Sequence, residues 1–237
     1  MKTVVRWTAP PVPCDYVPDH ICQREYLRVA RMNRDEYMAY LLAGWRRFGH
    51  MLFRLNCSGS NACRSLRVDA ACFRLDRSQR RARKANEGAI RLCIGDPLVT
   101  PQKVALIDRF HSERSETRGW SLSEPGDWAE FVRRFVLNPF PTQEWCYFLD
   151  DVLVGVGYVD ELAGGLSAIY FARDPTHRDR SLGTWNALCL LERAKTLGLP
   201  HVYLGYHVEG CPSLQYKGRF RPNQSLDPDG VWRDGGA

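Results

Sequence analysis

The chain has no stretch approaching the ~18 uncharged apolar residues of a membrane helix, so none is expected. Its opening, MKTVVRWTAPPVPCDY, lacks an apolar signal core because prolines interrupt it, and a cytoplasmic location is the expectation. No glycine-rich phosphate loop of the P-loop or dinucleotide kind is present, which disfavours ATPase and NAD chemistry. HExxH and G-x-S-x-G are absent too, leaving metalloprotease and serine-hydrolase readings without support. Cys57 and Cys63 lie six apart, missing the two-residue spacing with which one turn aims two thiolates at a single ion.

What remains is a folding chain of 237 residues, with 44% apolar residues and seven tryptophans, which excludes general disorder. Nine cysteines form an odd set, and without an export signal mostly reduced thiols are expected. The net charge of +6 suits a polyanionic partner without choosing one.

The most informative stretch is residues 166–221. Leu166, Ala168 and Tyr170 alternate as in a strand that stops at Asp174-Pro175. Leu182, Trp185, Leu188, Leu191, Ala194 and Leu197 then recur at helical spacing, and Gly198 followed by Pro200 ends the helix. Val202, Leu204 and Tyr206 begin another strand, completing a crossover unit. His177, Arg178 and Arg180 precede the helix, where main-chain N–H groups accept an anion.

Elsewhere, prolines make residues 1–22 an irregular arm, and Arg24 to Met32 reads as an edge strand. Asn33 and Glu36 cap a helix expected to run through Tyr37, Met38, Leu41, Leu42, Trp45 and Phe48 to Gly49. Residues 50–73 read as a packed loop, and the basic run SQRRARKANEG as a helix ending at Gly88, with charges suited to a phosphate backbone. Val104 to Phe110 starts a helix, with HSERSETRGW a polar loop or frayed end; Trp128, Phe131, Val132 and Phe135 form a further helix closed at Asn138-Pro139. Residues 145–149 and 152–158 are strands joined by Asp150-Asp151, and Gly164-Gly165 turns into the Leu166 strand. The tail VWRDGGA is expected to fray.

The architecture of residues 145–206 resembles a GNAT acyltransferase core, in which one strand splays from its neighbour beside an anion-binding helix. More specifically, the chain resembles the aminoacyl-tRNA–protein transferases, the arginyltransferase family, and especially its bacterial aspartate/glutamate leucyltransferase branch. PCDY at 13–16, FRLNCSGSNACRSLRV at 53–68 with FRLDRSQRRARKAN after it, and DPTHRDRSLGTWNALCLLERAKTLGLPHVYLGYHVEGCPSLQYKGRFRP at 174–222 carry the resemblance. Two positions depart from the family pattern: Leu55 stands at its proline and Ser60 at its middle cysteine.

The resemblance implies an α+β fold: a GNAT-like mixed sheet with a crossover helix, and an N-terminal cysteine- and arginine-containing α/β region packed on it. The regions would be residues 1–95 and 96–237. It implies transfer of leucine, or else arginine, from aminoacyl-tRNA to the α-amine of proteins beginning with Asp or Glu, a degradation tag, with no cofactor and no membrane. A GNAT enzyme using acyl-CoA and a non-catalytic RNA-binding protein are the alternatives.

Tyr206, His207 and Glu209 follow the last core strand and are the expected proton relay. Arg54, Arg67, Lys217, Arg219 and Arg221, in the matching motifs, are expected to hold the acceptor carboxylate, with Arg67 and Arg219 foremost. The tRNA would follow Arg77, Arg80, Arg81, Arg83 and Lys84 toward Arg178 and Arg180, read by shape and phosphate. Tyr170, Phe171 and Trp185 would line an apolar donor recess. Cys14, Cys22, Cys57 and Cys63 stay open as metal ligands, although Ser60 removes one thiol.

Overall fold

The computed structural model describes residues 1–14, 16–57, 60–119 and 125–235. Strands β1 (Lys2–Thr8), β2 (Val12–Pro13), β3 (Ile21–Cys22) and β4 (Arg24–Arg31) come first, then helix α1 (Arg34–Leu42) and strands β5 (Arg46–Phe48), β6 (Met51–Leu55) and β7 (Cys63–Asp69). Helix α2 (Arg77–Asn86), strand β8 (Ile90–Gly95), helix α3 (Pro101–Arg118) and helix α4 (Trp128–Phe131), continued as a wide π-turn over Val132–Val136, follow. The meander β9 (Gln143–Leu149), β10 (Val152–Leu162) and β11 (Gly165–Arg173) leads through a 3₁₀ segment, Pro175–Arg180, into α5 (Leu182–Thr196) and β12 (His201–Val208). A 3₁₀ turn, Gln215–Arg219, and strands β13 (Asn223–Leu226) and β14 (Trp232–Asp234) complete the chain.

This is a mixed α+β architecture. One sheet has the order β1-β4-β6-β5; a larger one has the order β14-β13-β7-β12-β11-β10-β9-β8. The larger sheet draws strands from both sides of residue 95, with β7 between β12 and β13 and β8 on the far edge. Among the described residues, no helix is long and apolar enough to cross a membrane.

Local chemistry explains the helix starts. Asn33 Oδ1 accepts from the Glu36 N–H at 2.8 Å, while Glu36 Oε2 accepts from the Asn33 N–H at 2.7 Å. Asp76 and Gln79 repeat this reciprocal cap for α2. Asp150 and Asp151 both take left-handed backbone, as a tight hairpin between β9 and β10 requires.

Several expectations are corrected. The arm is not irregular throughout: Lys2–Thr8 pairs antiparallel with β4, which makes β4 an internal strand rather than an edge. The helix begun at Asn33 does not reach Gly49. Gly44 adopts φ +83°, and Arg46–Phe48 then pair with Met51–Phe53 as a hairpin. Gly49 turns it at φ +50°, where an added Cβ would fall 2.1 Å from the Arg133 carbonyl oxygen. The presumed loop at 50–73 contains β6 and β7 around its described ends. HSERSETR belongs to α3, and the tail pairs with β13 through Trp232.

Three apolar clusters fix the layers. The largest packs α5 (Leu182, Leu190, Leu191) on one face of the sheet against Val68, Trp145 and Val202. A second sets α3 and α4 (Leu106, Phe110, Phe131) on Val156 and Ala172. The third joins Tyr37 and Leu41 of α1 to the small sheet and to Tyr203.

Candidate active site

The parallel strands β11 and β12 meet at only two positions, Leu166 opposite Val202 and Ser167 opposite Tyr203. Gly165 permits that approach: at φ +141°, a Cβ there would lie 2.0 Å from the His201 carbonyl oxygen. Beyond this the strands part, and a cavity of about 840 Å³ opens between Ala168–Phe171 on one side and Leu204–Tyr206 on the other. The first residues of α5, Leu182 to Thr184, also border it. Their N–H groups lack intrahelical partners, so an anion is favoured there.

Two cationic regions differ in kind. At one, Arg178 and Arg173 approach Glu113 Oε1 at 3.1 and 3.6 Å, and Arg114 Nε lies 3.6 Å from Glu113 Oε2. The Arg178 side chain is 63% exposed, whereas Arg173 and Arg114 are largely buried, and the Glu113 carboxylate already offsets part of their charge.

The other region is built by a bulge. The pairing of β12 with β7 slips between Tyr203 and Gly205, and Gly205 takes φ +84°. The Gly205 carbonyl accepts from Arg46 Nη2 at 3.4 Å, and the next carbonyl, of Tyr206, accepts from Lys217 Nζ at 3.3 Å. The Arg46 guanidinium carbon lies 5.7 Å from the centroid of the Tyr206 ring. Arg46 is only 6% exposed, yet its Nε and Nη1 have no hydrogen-bond partner among the described residues. Burial pulls Arg46 below its ordinary pKa; burial and then the charge of Arg46 bring Lys217 down to about 8. Among the described residues, no carboxylate contributes to either.

Arg47, the next residue, turns toward the opposite face, as alternation on a strand demands. There it meets Asp160 and Thr142. Burial pushes the Tyr206 phenol well above its ordinary pKa, so its O–H persists and donates to the Gly44 carbonyl at 3.4 Å.

Of the expected relay, Tyr206 lines the cavity, whereas His207 and Glu209 do not. His207 packs on Gly218, where a Cβ would come 2.7 Å from its Nε2, and Glu209 sits in the exposed turn after β12. Among the expected carboxylate holders, only Lys217 reaches the cavity. Arg54 pairs with Glu25 at 2.7 Å, and Arg219 with Asp76 at 3.0 Å. Arg67 donates to Gln224 at 2.8 Å and stacks over Trp232, while the Arg221 backbone bridges to Arg74 outside the cavity. Tyr170 and Phe171 line the space; Trp185 packs instead with the core cluster on α5.

The basic helix α2 stands beside the mouth. Arg180 Nη1 donates to the Ala85 carbonyl at 2.6 Å, and Asn86 donates to the Arg180 carbonyl at 2.7 Å. Arg83 is tied to Glu87, and Arg80 to the Leu75 carbonyl, while Arg77, Arg81 and Lys84 have no ion pair among the described residues.

Cys14, Cys22, Cys57 and Cys63 are brought close enough to influence one another's ionisation. Among the described residues, however, no three His, Cys, Asp or Glu side chains are arranged to hold a metal ion.

Arg46, Arg114 and Arg173 were not legible as site residues. The available signal was the adjacent Arg46-Arg47 between Trp45 and Phe48: read with strand period, the pair must face two ways.

Comparison with known proteins identifies the family. The family model described as "Arginine-tRNA-protein transferase, C terminus" matches residues 102–227, and "Arginine-tRNA-protein transferase, N terminus" matches residues 12–81. A protein of Nitrosococcus oceani named aspartate/glutamate leucyltransferase is 33% identical, covering 91% of this chain and 90% of that protein. One of the same name from Alkalilimnicola ehrlichii is 35% identical, covering 83% of this chain and 80% of its own. Among solved structures, L-PGS from Bacillus licheniformis overlaps with a TM-score of 0.45 at 12% identity, over 76% of this chain and 52% of that one, too low to assign a fold. With matches over both segments and nearly the whole length, the chain belongs to the arginine-tRNA-protein transferase family.

Proposed function

We propose that the protein transfers leucine from charged tRNA to the α-amine of proteins whose first residue is Asp or Glu, marking them for degradation. The observation that carries this reading is the cavity at the parting of β11 and β12, with arginines gathered around Glu113 at one region and the buried, part-unpartnered Arg46 beside Lys217 at the other. Relatives named aspartate/glutamate leucyltransferase support the choice of donor and acceptor. The finer fold class is GNAT-like, supported by the two-position parallel pairing and by the start of α5 at the cavity mouth.

The tRNA acceptor arm lies along Arg77, Arg81 and Lys84 toward Arg178, and its terminal phosphates reach Arg178, Arg173 and the N–H groups of α5. Phe48, Phe53, Phe110 and Leu204 give the leucine side chain an apolar wall. The aminoacyl ester is already activated, so orientation supplies much of the rate. The neutral fraction of an α-amine with a pKa of about 7.7–8.0 attacks the ester carbonyl. A C–N bond forms, the C–O bond to the terminal ribose breaks, and the surplus amine proton leaves to the ribose oxygen or to solvent. The Tyr206 phenol, kept protonated and already donating to the Gly44 carbonyl, shapes the cavity wall rather than acting as base.

The test is mass spectrometry of Asp-, Glu- and Arg-initiated peptides incubated with leucyl- and arginyl-tRNA. A leucine increment confined to the acidic peptides, and absent with uncharged tRNA, is expected. An arginine increment would reassign the donor, and product from acyl-CoA without RNA would overturn the reading.

A further inference from the structure

A buried guanidinium is ordinarily paired, because an unpaired buried charge is costly. Arg46 breaks that pattern: it is 6% exposed, it borders the cavity, and two of its donor nitrogens are unpartnered among the described residues. Lys217 borders the same cavity, held on the carbonyl next to the one that holds Arg46. Among the described residues, the groups that act on Arg46 are Tyr206, Tyr37 and Tyr203 and those that act on Lys217 are Arg46 and Cys211, with no carboxylate among them. Two like charges in one recess repel, and an anion between them relieves both the repulsion and the missing hydrogen bonds.

We propose that Arg46 and Lys217 form the subsite that reads the side-chain carboxylate of the acceptor's first residue, Arg46 supplying the hydrogen bonds and Lys217 a second positive charge. This rests on the transferase reading above and adds to it the residues that set acceptor choice. A carboxylate suits the recess better than a phosphodiester. It is small enough for the buried Arg46 to hold by direct hydrogen bonds, whereas the exposed Arg178 suits a hydrated backbone. The four other residues expected to hold the carboxylate are placed elsewhere: Arg54, Arg67 and Arg219 are already engaged, and Arg221 lies outside the cavity lining.

The experiment compares peptides beginning with Asp, Glu, Asn and Gln at saturating leucyl-tRNA, using wild type, Arg46→Gln and Lys217→Met. The wild type favours the acids. In Arg46→Gln the kcat/KM for acidic peptides falls about 10- to 100-fold, the range expected for a charged hydrogen bond. The Asn and Gln peptides change little, and the KM for leucyl-tRNA is unaltered. Lys217→Met gives the same sign with a smaller loss, and it keeps the test open should Arg46→Gln not fold. If both variants preserve the preference for acid over amide, or if the loss falls on the KM for tRNA, the subsite is something else. Calorimetry of Asp- and Asn-initiated peptides on the full chain without tRNA separates this proposal from its parent. Equal affinities in the wild type would overturn the subsite even if leucine transfer is confirmed. A tighter Asp peptide that loses its advantage in Arg46→Gln would uphold the subsite even if leucine transfer is not seen.

Discussion

The Arg47 guanidinium grips the Asp160 carboxylate through two hydrogen bonds, Nε to Oδ2 at 2.7 Å and Nη2 to Oδ1 at 2.5 Å, with both side chains wholly excluded from solvent. Thr142 Oγ1 donates to the same carboxylate at 2.8 Å, and Asn138 Oδ1 accepts from Arg47 Nη1 at 2.7 Å. The hairpin that carries Arg46 is thereby fastened to β10. Asp160→Asn or Arg47→Met should lower the unfolding free energy by about 3–5 kcal/mol, because each leaves a buried charge uncompensated. The double variant Arg47→Met with Asp160→Leu should lose less than the sum of the two single losses. Urea denaturation of the four proteins checks both statements.

Lys217 gives stability a pH signature. Its pKa of about 8, against an ordinary 10.5, means that between those values the unfolded chain holds more protons than the folded one. Stability contributed by this residue therefore rises with pH through that window, and the cost of burying its charge is fully present below it. Lys217→Met should accordingly be more stable than wild type at neutral pH, with the gap narrowing as pH climbs toward 10.5. Thermal melts of both proteins across this range test it; a gap that widens with pH contradicts the assignment.

Arg178 is expected to act on RNA alone. Arg178→Ala should raise the KM for leucyl-tRNA several-fold, leave the acid-over-amide preference intact and reduce the salt slope of tRNA binding by about one. Filter binding at graded salt, beside steady-state kinetics, gives both readouts.

The thiols should differ sharply in reactivity. Burial raises Cys22 to about 11 and Cys63 to about 12, so both are protonated at neutral pH, whereas Cys72 and Cys93 are exposed. Iodoacetamide on the folded protein should label Cys72 and Cys93 first, as peptide mapping by mass spectrometry would record. Early labelling of Cys63 would mean its surroundings are not those described.

Where the sequence was informative, the cause is local. The helix ending near Gly198 and the Asp150-Asp151 hairpin rest on periodicity and turn chemistry, and both form. Arg46 was hidden because Trp45 and Phe48 also fit a helical stripe; only the left-handed Gly44 converts the segment to a strand that turns one arginine to the cavity. Arg54 and Arg219 had the right charge in the right motifs. Their partners Glu25 and Asp76 lie 29 and 143 positions away, and no local pattern reports such pairing. The insertion of β7 between β12 and β13 is likewise set by distant contacts.

The opening between β11 and β12 is made by main chain leaving main chain, not by trimming large side chains to small ones. Its existence is thus insulated from what decorates its walls. On the proposed reading, exchanging Phe48 or Phe53 for another residue retunes which amino acid rides in on the RNA, while the doorway itself stays where Gly165 hinges it.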